Sequence, residues 1–202
     1  MNRVNINQVD DVRIATYRCL KDKHIARQQG LFVVEGEHLV HRLFSSDLHV
    51  RSVLMTENRW RSGAWNVPVD VPVYLADKDL LSQIVGFPFH RGVLALGHRP
   101  ESRHYRSAWT DISRISRLLI CPEINDVENL GSLLRSAAGL GFAHVLLGPS
   151  CCDPWARRAI RTSMGTVFQL HLSRSQDLKQ DLDQLHRDYG FQWHPERQLV
   201  LE

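Results

Sequence analysis

Short apolar runs alternate along the chain with amphipathic stretches, and this alternation limits the fold more than any other feature. "LFVVEG" reads as a strand, "EHLVHRLFSS" as a helix with Leu39, Leu43 and Phe44 on one face, and "VRSVLM" as the next strand. "VPVYLA" is a further strand, Asp77 caps "KDLLSQIVG" as a helix, and "GVLALG" returns as a strand behind the turn residues of "GFPFHRG". The second half continues in the same way. "RLLIC", "AHVLLG" and "TVFQLHL" read as strands, with a helix in "NDVENLGSLLRSAAGLGF" and another in "SQDLKQDLDQLHRDYG" that ends at Gly190. In "DPWARRAIRTSMG", Asp153 is placed as N-cap and Pro154 at the first helical position. The expected class is α/β, with parallel sheets covered by helices on both faces.

Domain limits follow from where the periodicity lapses. Residues 1–97 form one expected α/β domain. Residues 98–117 lack apolar periodicity and carry Pro100 with scattered serine and arginine, which predicts a basic linker. Residues 118–202 form the second expected domain. A chain of 202 residues with 43% hydrophobic content can bury a core of this size. Its longest apolar runs fall far short of the roughly 20 residues that span a bilayer, and "MNRVNINQVDD" has no apolar signal core, so the expectation is a cytoplasmic protein without a membrane segment. Cys19, Cys121, Cys151 and Cys152 show no CxxC spacing, which predicts reduced thiols. His38 and His41 lie three apart on a predicted helix, but no third ligand is near, and no metal site is expected.

Net charge is only +3, yet the arginines are clustered. One run is "RCLKDKHIARQQG". A second, "HRPESRHYRSAWTDISRISR", holds Arg103, Arg106, Arg114 and Arg117, and a third, "PWARRAIRTSMG", holds Arg157, Arg158 and Arg161. Three such runs favour an anionic partner such as nucleic acid. The chain has no phosphate-binding Walker loop, dinucleotide glycine fingerprint or nucleophile elbow. The loop "PEINDVENLG" follows the strand "RLLIC", where a parallel sheet opens its ligand crevice. Asn125, Asp126 and Asn129 can hold a tight turn there, with Gly131 allowing close approach. Arg135 follows one and a half turns into the helix, with Ser132, Leu133 and Ser136 within a turn of it. Spacing alone leaves two roles for Arg135 equally open: a group lining the crevice, or a surface arginine on a core helix.

The stretch "NDVENLGSLLRSAAGLGFAHVLLGPSCCDPWARRAIRTSMGTVFQLHL" resembles the SpoU/TrmH family of RNA methyltransferases, in the SPOUT superfamily. An N-x-G-x-x-x-R core at Asn129, Gly131 and Arg135 is joined to a downstream arrangement of Asp153, Pro154, Arg161, Ser163, Met164, Gly165 and Phe168. "QQGLFVVEGEHLV" and "HRGVLAL" are similar to the opening and closing strands of the family's substrate-binding domain. The resemblance covers about Tyr17 to Leu172. It implies an N-terminal α/β substrate-binding domain followed by a parallel-sheet SPOUT domain of α/β knot type.

The implied reaction is transfer of a methyl group from S-adenosylmethionine to a ribose 2′-hydroxyl of rRNA or tRNA. By the same resemblance Arg135 serves proton removal and Asn129 orients the site. Arg157, Arg158, Arg161, Ser163, Arg103 and Arg106 are the expected RNA contacts. Family members pair as homodimers through the knot. They also carry two further motifs, one like "GNEGxG" and one like "PMxGxxxSLNVSxA", that hold the methyl donor. Neither motif is found in these 202 residues, so the donor pocket is expected to be missing and its residues are unassigned. The alternative function is an RNA-binding remnant of the family without catalysis.

Overall fold

A computed structural model describes residues 3–18, 29–86, 88–101 and 104–192. Arg103 and most of the first basic run lie outside the described residues. The chain forms two compact units, each discontinuous in sequence. One comprises Met1–Glu101, Asp126–Ser136 and Asp153–Gln169; the other comprises Ser102–Asn125, Ala137–Cys152 and Leu170–Glu202. The polypeptide therefore returns twice to the unit it started in, a different division from the expected boundaries at 97 and 118.

In the first unit, β1 (Arg3–Asn5), β2 (Leu31–Glu35), β3 (Val50–Thr56), β4 (Val73–Ala76) and β5 (Val93–His98) make one sheet in the order β1-β4-β3-β5-β2. The strands β1, β4 and β3 run parallel, whereas β5 is antiparallel to both β3 and β2. The sheet is thus mixed, which corrects the expectation of a parallel one. An apolar run signals burial, but it carries no mark of chain direction. β1 has only three residues and pairs with β4 alone, so it leaves no periodic signal.

Alternation along the strands gives the sheet two apolar faces. Leu31, Val33, Leu54, Leu94 and Leu96 pack on one side with Tyr17 of α1 (Ala15–Arg18). Leu81, Ile84 and Val85 of a later helix, Lys78–Val85, join the same cluster. The buried Tyr17 hydroxyl is satisfied by Ser52 Oγ at 2.9 Å. The other side carries Phe32, which faces Gly97 across the β2–β5 pair. An ideal Cβ on Gly97 would lie 2.3 Å from the Phe32 ring, so only glycine lets that ring lie flat on the strand. The remaining helices of this sheet are α2 (Glu37–Phe44) and α3 (Glu57–Ser62), and Lys78–Val85 is α4. Leu39 and Leu43 are buried on α2, as its spacing predicts. Asp77 caps α4, its Oδ1 accepting from Leu80 N at 2.7 Å.

The second unit holds β6 (Leu118–Cys121), β7 (His144–Leu147) and β8 (His171–Arg174), all parallel with β7 central. Residues expected to be linker here contain a short helix, α5 (Tyr105–Ala108). Tyr105, Trp109 and Ile112 are buried with Leu146 and Leu185, so this stretch is core. α6 (Val127–Gly139), up to Ser136, and α7 (Arg157–Thr162) belong to the first unit, and α8 (Leu178–Tyr189), in the second, completes the described helices. Asp177 caps α8, and Gly190 ends it in the left-handed region, as predicted for the glycine. The half of "TVFQLHL" before Leu170 is a 3-10 turn, and strand begins only at His171. Buried Asp181 accepts from Ser175 Oγ at 2.6 Å and is bonded to His104 Nε2 at 2.9 Å. Cys121 and Cys151 are buried free thiols, and burial pushes the Cys121 thiol up to about 12.

Candidate functional site

The start of α6 is built by Asp126. Its Oδ1 accepts from Glu128 N at 2.9 Å and Asn129 N at 2.7 Å, and its carbonyl accepts from Leu130 N. Two of the helix's orphan donors are thereby met by one carboxylate, which also favours the positive helix end. The turn is held by Asp126 alone, since Asn125 instead donates to Glu123 at 3.1 Å and Asn129 already lies in the helix. Leu130, Leu134 and Ala137 form the buried face. Glu128, Asn129, Ser132, Arg135 and Ser136 share the exposed arc.

Gly131 faces α7. An ideal Cβ there would meet the Ala159 carbonyl oxygen at 2.7 Å and Thr162 Cβ at 2.9 Å. The glycine thus permits backbone-to-backbone approach of α6 and α7, which is a helix-packing role and not a turn role. Across this seam Arg161 lies 4.0 Å from Glu128, both half exposed. Arg135 sits on the Glu128 side of α6, two turns further along, or about 10 Å. Its guanidinium is exposed and makes no hydrogen bond or ion pair with a described residue.

The other expected contacts divide by environment. Arg158 is exposed on α7. Arg157 reaches Glu35 at the end of β2, at 3.2 Å, and Glu35 is also 3.5 Å from Arg91. Arg106 is exposed in the second unit and pairs with Asp188 at 3.4 Å. Ser163 is fully buried, and its hydroxyl donates to the Ile160 carbonyl at 3.0 Å, which sets the end of α7 and leaves nothing for an exposed contact. Met164 (φ 55°) and Gly165 (φ 77°) complete that turn, and the Met164 carbonyl accepts from the Arg42 guanidinium.

Asp153 does not cap α7. The helix begins at Arg157 with Ala156 as its N-cap, because the Asp153 carboxylate is occupied elsewhere. It accepts from Trp155 N at 3.0 Å and pairs with Arg99 Nη1 at 2.8 Å. Trp155 and Phe168 both pack on the Phe32 ring, with centroids 5.0 and 5.7 Å away. The Asp-Pro and Ser-Met-Gly stretches thus seat α7 against the sheet of its own unit. Arg99, Arg42 and Glu35 were not singled out by sequence; each lies at the end of a regular element, where a lone charge gives no spacing signal.

Residues 116–194 match the SpoU rRNA Methylase family and residues 12–94 match the MRM3-like substrate binding domain. An uncharacterized tRNA/rRNA methyltransferase of Mycobacterium tuberculosis is 31% identical over 188 residues, 90% of this chain and 64% of that protein. The human mitochondrial rRNA methyltransferase 3 is 35% identical over 159 residues, 75% of this chain and 36% of that protein. An AdoMet-bound rRNA methyltransferase from Sinorhizobium meliloti has the same fold, with TM-score 0.74 at 17% identity over 93% of this chain and 69% of that one. By these matches the chain is similar to the SpoU/TrmH family of RNA methyltransferases along most of its length. It spans 64% of the length of the mycobacterial relatives it matches.

The loops at the carboxyl ends of β6 and β7 are the place where a parallel sheet offers a ligand its backbone groups. Here the carbonyls of Gly148, Pro149, Cys151 and Cys152 all accept from the Arg174 guanidinium at 2.8 to 3.2 Å. Gly148 approaches so closely that a Cβ would lie 1.9 Å from the Pro122 carbonyl oxygen. These loops, with their carbonyls engaged by Arg174, therefore do not fit an adenosyl group.

Proposed function

We propose that the chain serves RNA 2′-O-ribose methylation, with S-adenosylmethionine as methyl donor and rRNA or tRNA as substrate. The names of its relatives support this, among them the 23S rRNA (guanosine(2553)-2′-O)-methyltransferase RlmP of Bacillus subtilis, 22% identical over 84% of this chain. Arg135 carries the reading. It is an exposed guanidinium on the α6 arc that makes no ion pair with a described residue, two turns along from Glu128, which faces Arg161 across the glycine seam.

The donor supplies an electrophilic methyl group, so the chain's task is the ribose oxygen, a weak nucleophile until its proton leaves. Arg135 stays charged at neutral pH and offers a planar fork of donors to the developing alkoxide and the neighbouring phosphate. It lowers the cost of losing the proton without itself acting as an ordinary base. Asn129, on the same arc with no partner for its amide among the described residues, orients the ribose. Arg158 and Arg161 hold backbone phosphates and fix register.

A second reading, RNA binding without transfer, is favoured by the Arg174 fork that fills the β7 loop. Radiolabelled methyl transfer to RNA by the full chain, compared with Arg135→Ala and Arg135→Lys, separates the two. The enzyme reading expects transfer that falls about a hundredfold in both variants, with unchanged melting temperature. RNA retention with no transfer by the parent chain supports the binding reading. Full activity in both variants would remove Arg135 from the mechanism.

A further inference from the structure

The carboxyl ends of β3 and β4 open into a cavity of about 510 Å³ that takes no part in the Arg135 site. Thr56, Asn58, Arg59, Lys78, Phe89 and His90 border it, together with two carboxylates that are already engaged, Glu57 by Arg61 at 3.0 Å and Asp77 by the Leu80 amide at 2.7 Å. We propose that this cavity is a pocket for one unstacked nucleotide of the RNA, distinct from the nucleotide that receives the methyl group. The proposal rests on the RNA reading and adds to it a second, separate point of recognition.

Three observations point to a nucleotide. The first is unspent hydrogen-bonding capacity. Asn58, Lys78 and His90 are exposed at the cavity, and their side chains make no hydrogen bond or ion pair with a described residue. An amide that both donates and accepts suits a base edge, and an ammonium suits the attached phosphate. The second is size: a volume of about 510 Å³ suits one base with its sugar, whereas a surface that only tracked phosphates would need no concavity. Phe89, 3% exposed, closes its floor with apolar surface.

The third observation is that the rim is held in place. Arg59 donates to Glu37 at 3.2 Å, and its stem lies over Gly92 (φ 71°), where a Cβ would sit 2.8 Å from Arg59 Cγ. Gly36 (φ 96°) lets Arg91 pass the same edge, a Cβ there lying 3.3 Å from Arg91 Nη1. Glu35 and Glu37, two residues apart at the end of β2, thus tie down Arg157 of α7 and Arg59 of the cavity.

The test uses the full chain with a fluorescein-labelled single-stranded RNA of about twelve nucleotides, the blunt duplex of the same sequence, and free UMP and AMP. Lys78→Gln combined with Asn58→Ala is compared with Arg158→Gln combined with Arg161→Gln, after matched melting curves show that both fold. The cavity variant is expected to bind the single strand at least about tenfold more weakly, with less than a twofold change on the duplex. The α7 variant is expected to lose affinity for both. Equal losses on both RNAs, or no loss, from the cavity variant overturn the pocket while leaving RNA binding intact if the α7 variant still fails. Tight binding of UMP or AMP that RNA does not displace assigns the cavity to a free nucleotide and also overturns it. A parent chain that binds neither RNA overturns the RNA reading itself.

Discussion

Arg99 Nη1 contacts both carboxylate oxygens of Asp153, at 2.9 and 2.8 Å, while Arg99 Nε donates to the Leu31 carbonyl at 2.8 Å. One guanidinium thus joins the last residues of the first sheet to the segment that leads into α7. Both side chains are largely shielded, at 16% and 27% exposure, so the pair is more than a surface contact. Arg99→Ala leaves a carboxylate and a carbonyl without their donor. The expected loss is about 2 kcal/mol, seen as a fall of several degrees in melting temperature. Arg99→Lys should recover only part of it, because a lysine cannot serve the carbonyl and the carboxylate from one planar group. An unchanged melting temperature in Arg99→Ala would show that the α7 segment is seated by the Phe32 ring stack alone.

Two glycines on α6 give opposite expectations. A methyl on Gly131 would press on the Ala159 carbonyl, which is backbone and cannot rotate away. Gly131→Ala should cost roughly 1–3 kcal/mol and weaken RNA binding by parting α6 from α7. Gly139 has nothing within 4 Å of its would-be Cβ and lies at the last turn of the same helix. Gly139→Ala should be neutral or stabilising by up to about 1 kcal/mol. Urea unfolding of both variants checks the contrast; equal effects would refute the close-approach account.

Two histidines make stability fall on acidification. Burial lowers the His144 pKa, with His171 stacked 4.8 Å away adding to it. His98 is lowered by burial first, then by His49 and Arg51. Both stay neutral in the folded chain at pH values where the unfolded chain, titrating near 6.5, already takes up protons. Their contribution is complete above about pH 6.5 and is lost as pH falls below it. Melting temperature should therefore decline between pH 7.5 and 5.5, and His98→Gln with His144→Gln should flatten that decline. A melting temperature that rises on acidification would contradict the sign.

Local signals were legible wherever one residue answers one backbone need. Asp77 and Asp177 cap the helices they precede, and Gly190 ends α8, because capping depends on neighbours in sequence. Asp153 shows where this fails: the same residue type, here before Pro154, is drawn away by Arg99, 54 positions distant, and the helix starts later. Tyr105, Trp109 and Ile112 stand at the helical spacing i, i+4 and i+7, but only three apolar anchors among serines, arginines and aspartate left the segment reading as polar. Arg135 stood out among leucines and serines, but that it lacks an ion-pair partner among the described residues is a property of its surroundings. The cavity beside Asn58 and Lys78 gave no motif, since its members come from the starts of two helices and a loop that are far apart in sequence.

Discontinuity of the first unit has a consequence for how the protein is made and dissected. The ring of Phe32 is laid down early in synthesis, yet Trp155 and Phe168, which shelter it, leave the ribosome more than a hundred residues later. Until then that face of the sheet is exposed apolar surface of the kind that recruits chaperones or self-associates. A fragment cut after His98 keeps all five strands but loses this cover, so it is expected to be sticky despite an intact sheet. A fragment that runs on to Gln169 carries every segment of the unit and is the shorter piece to isolate for study.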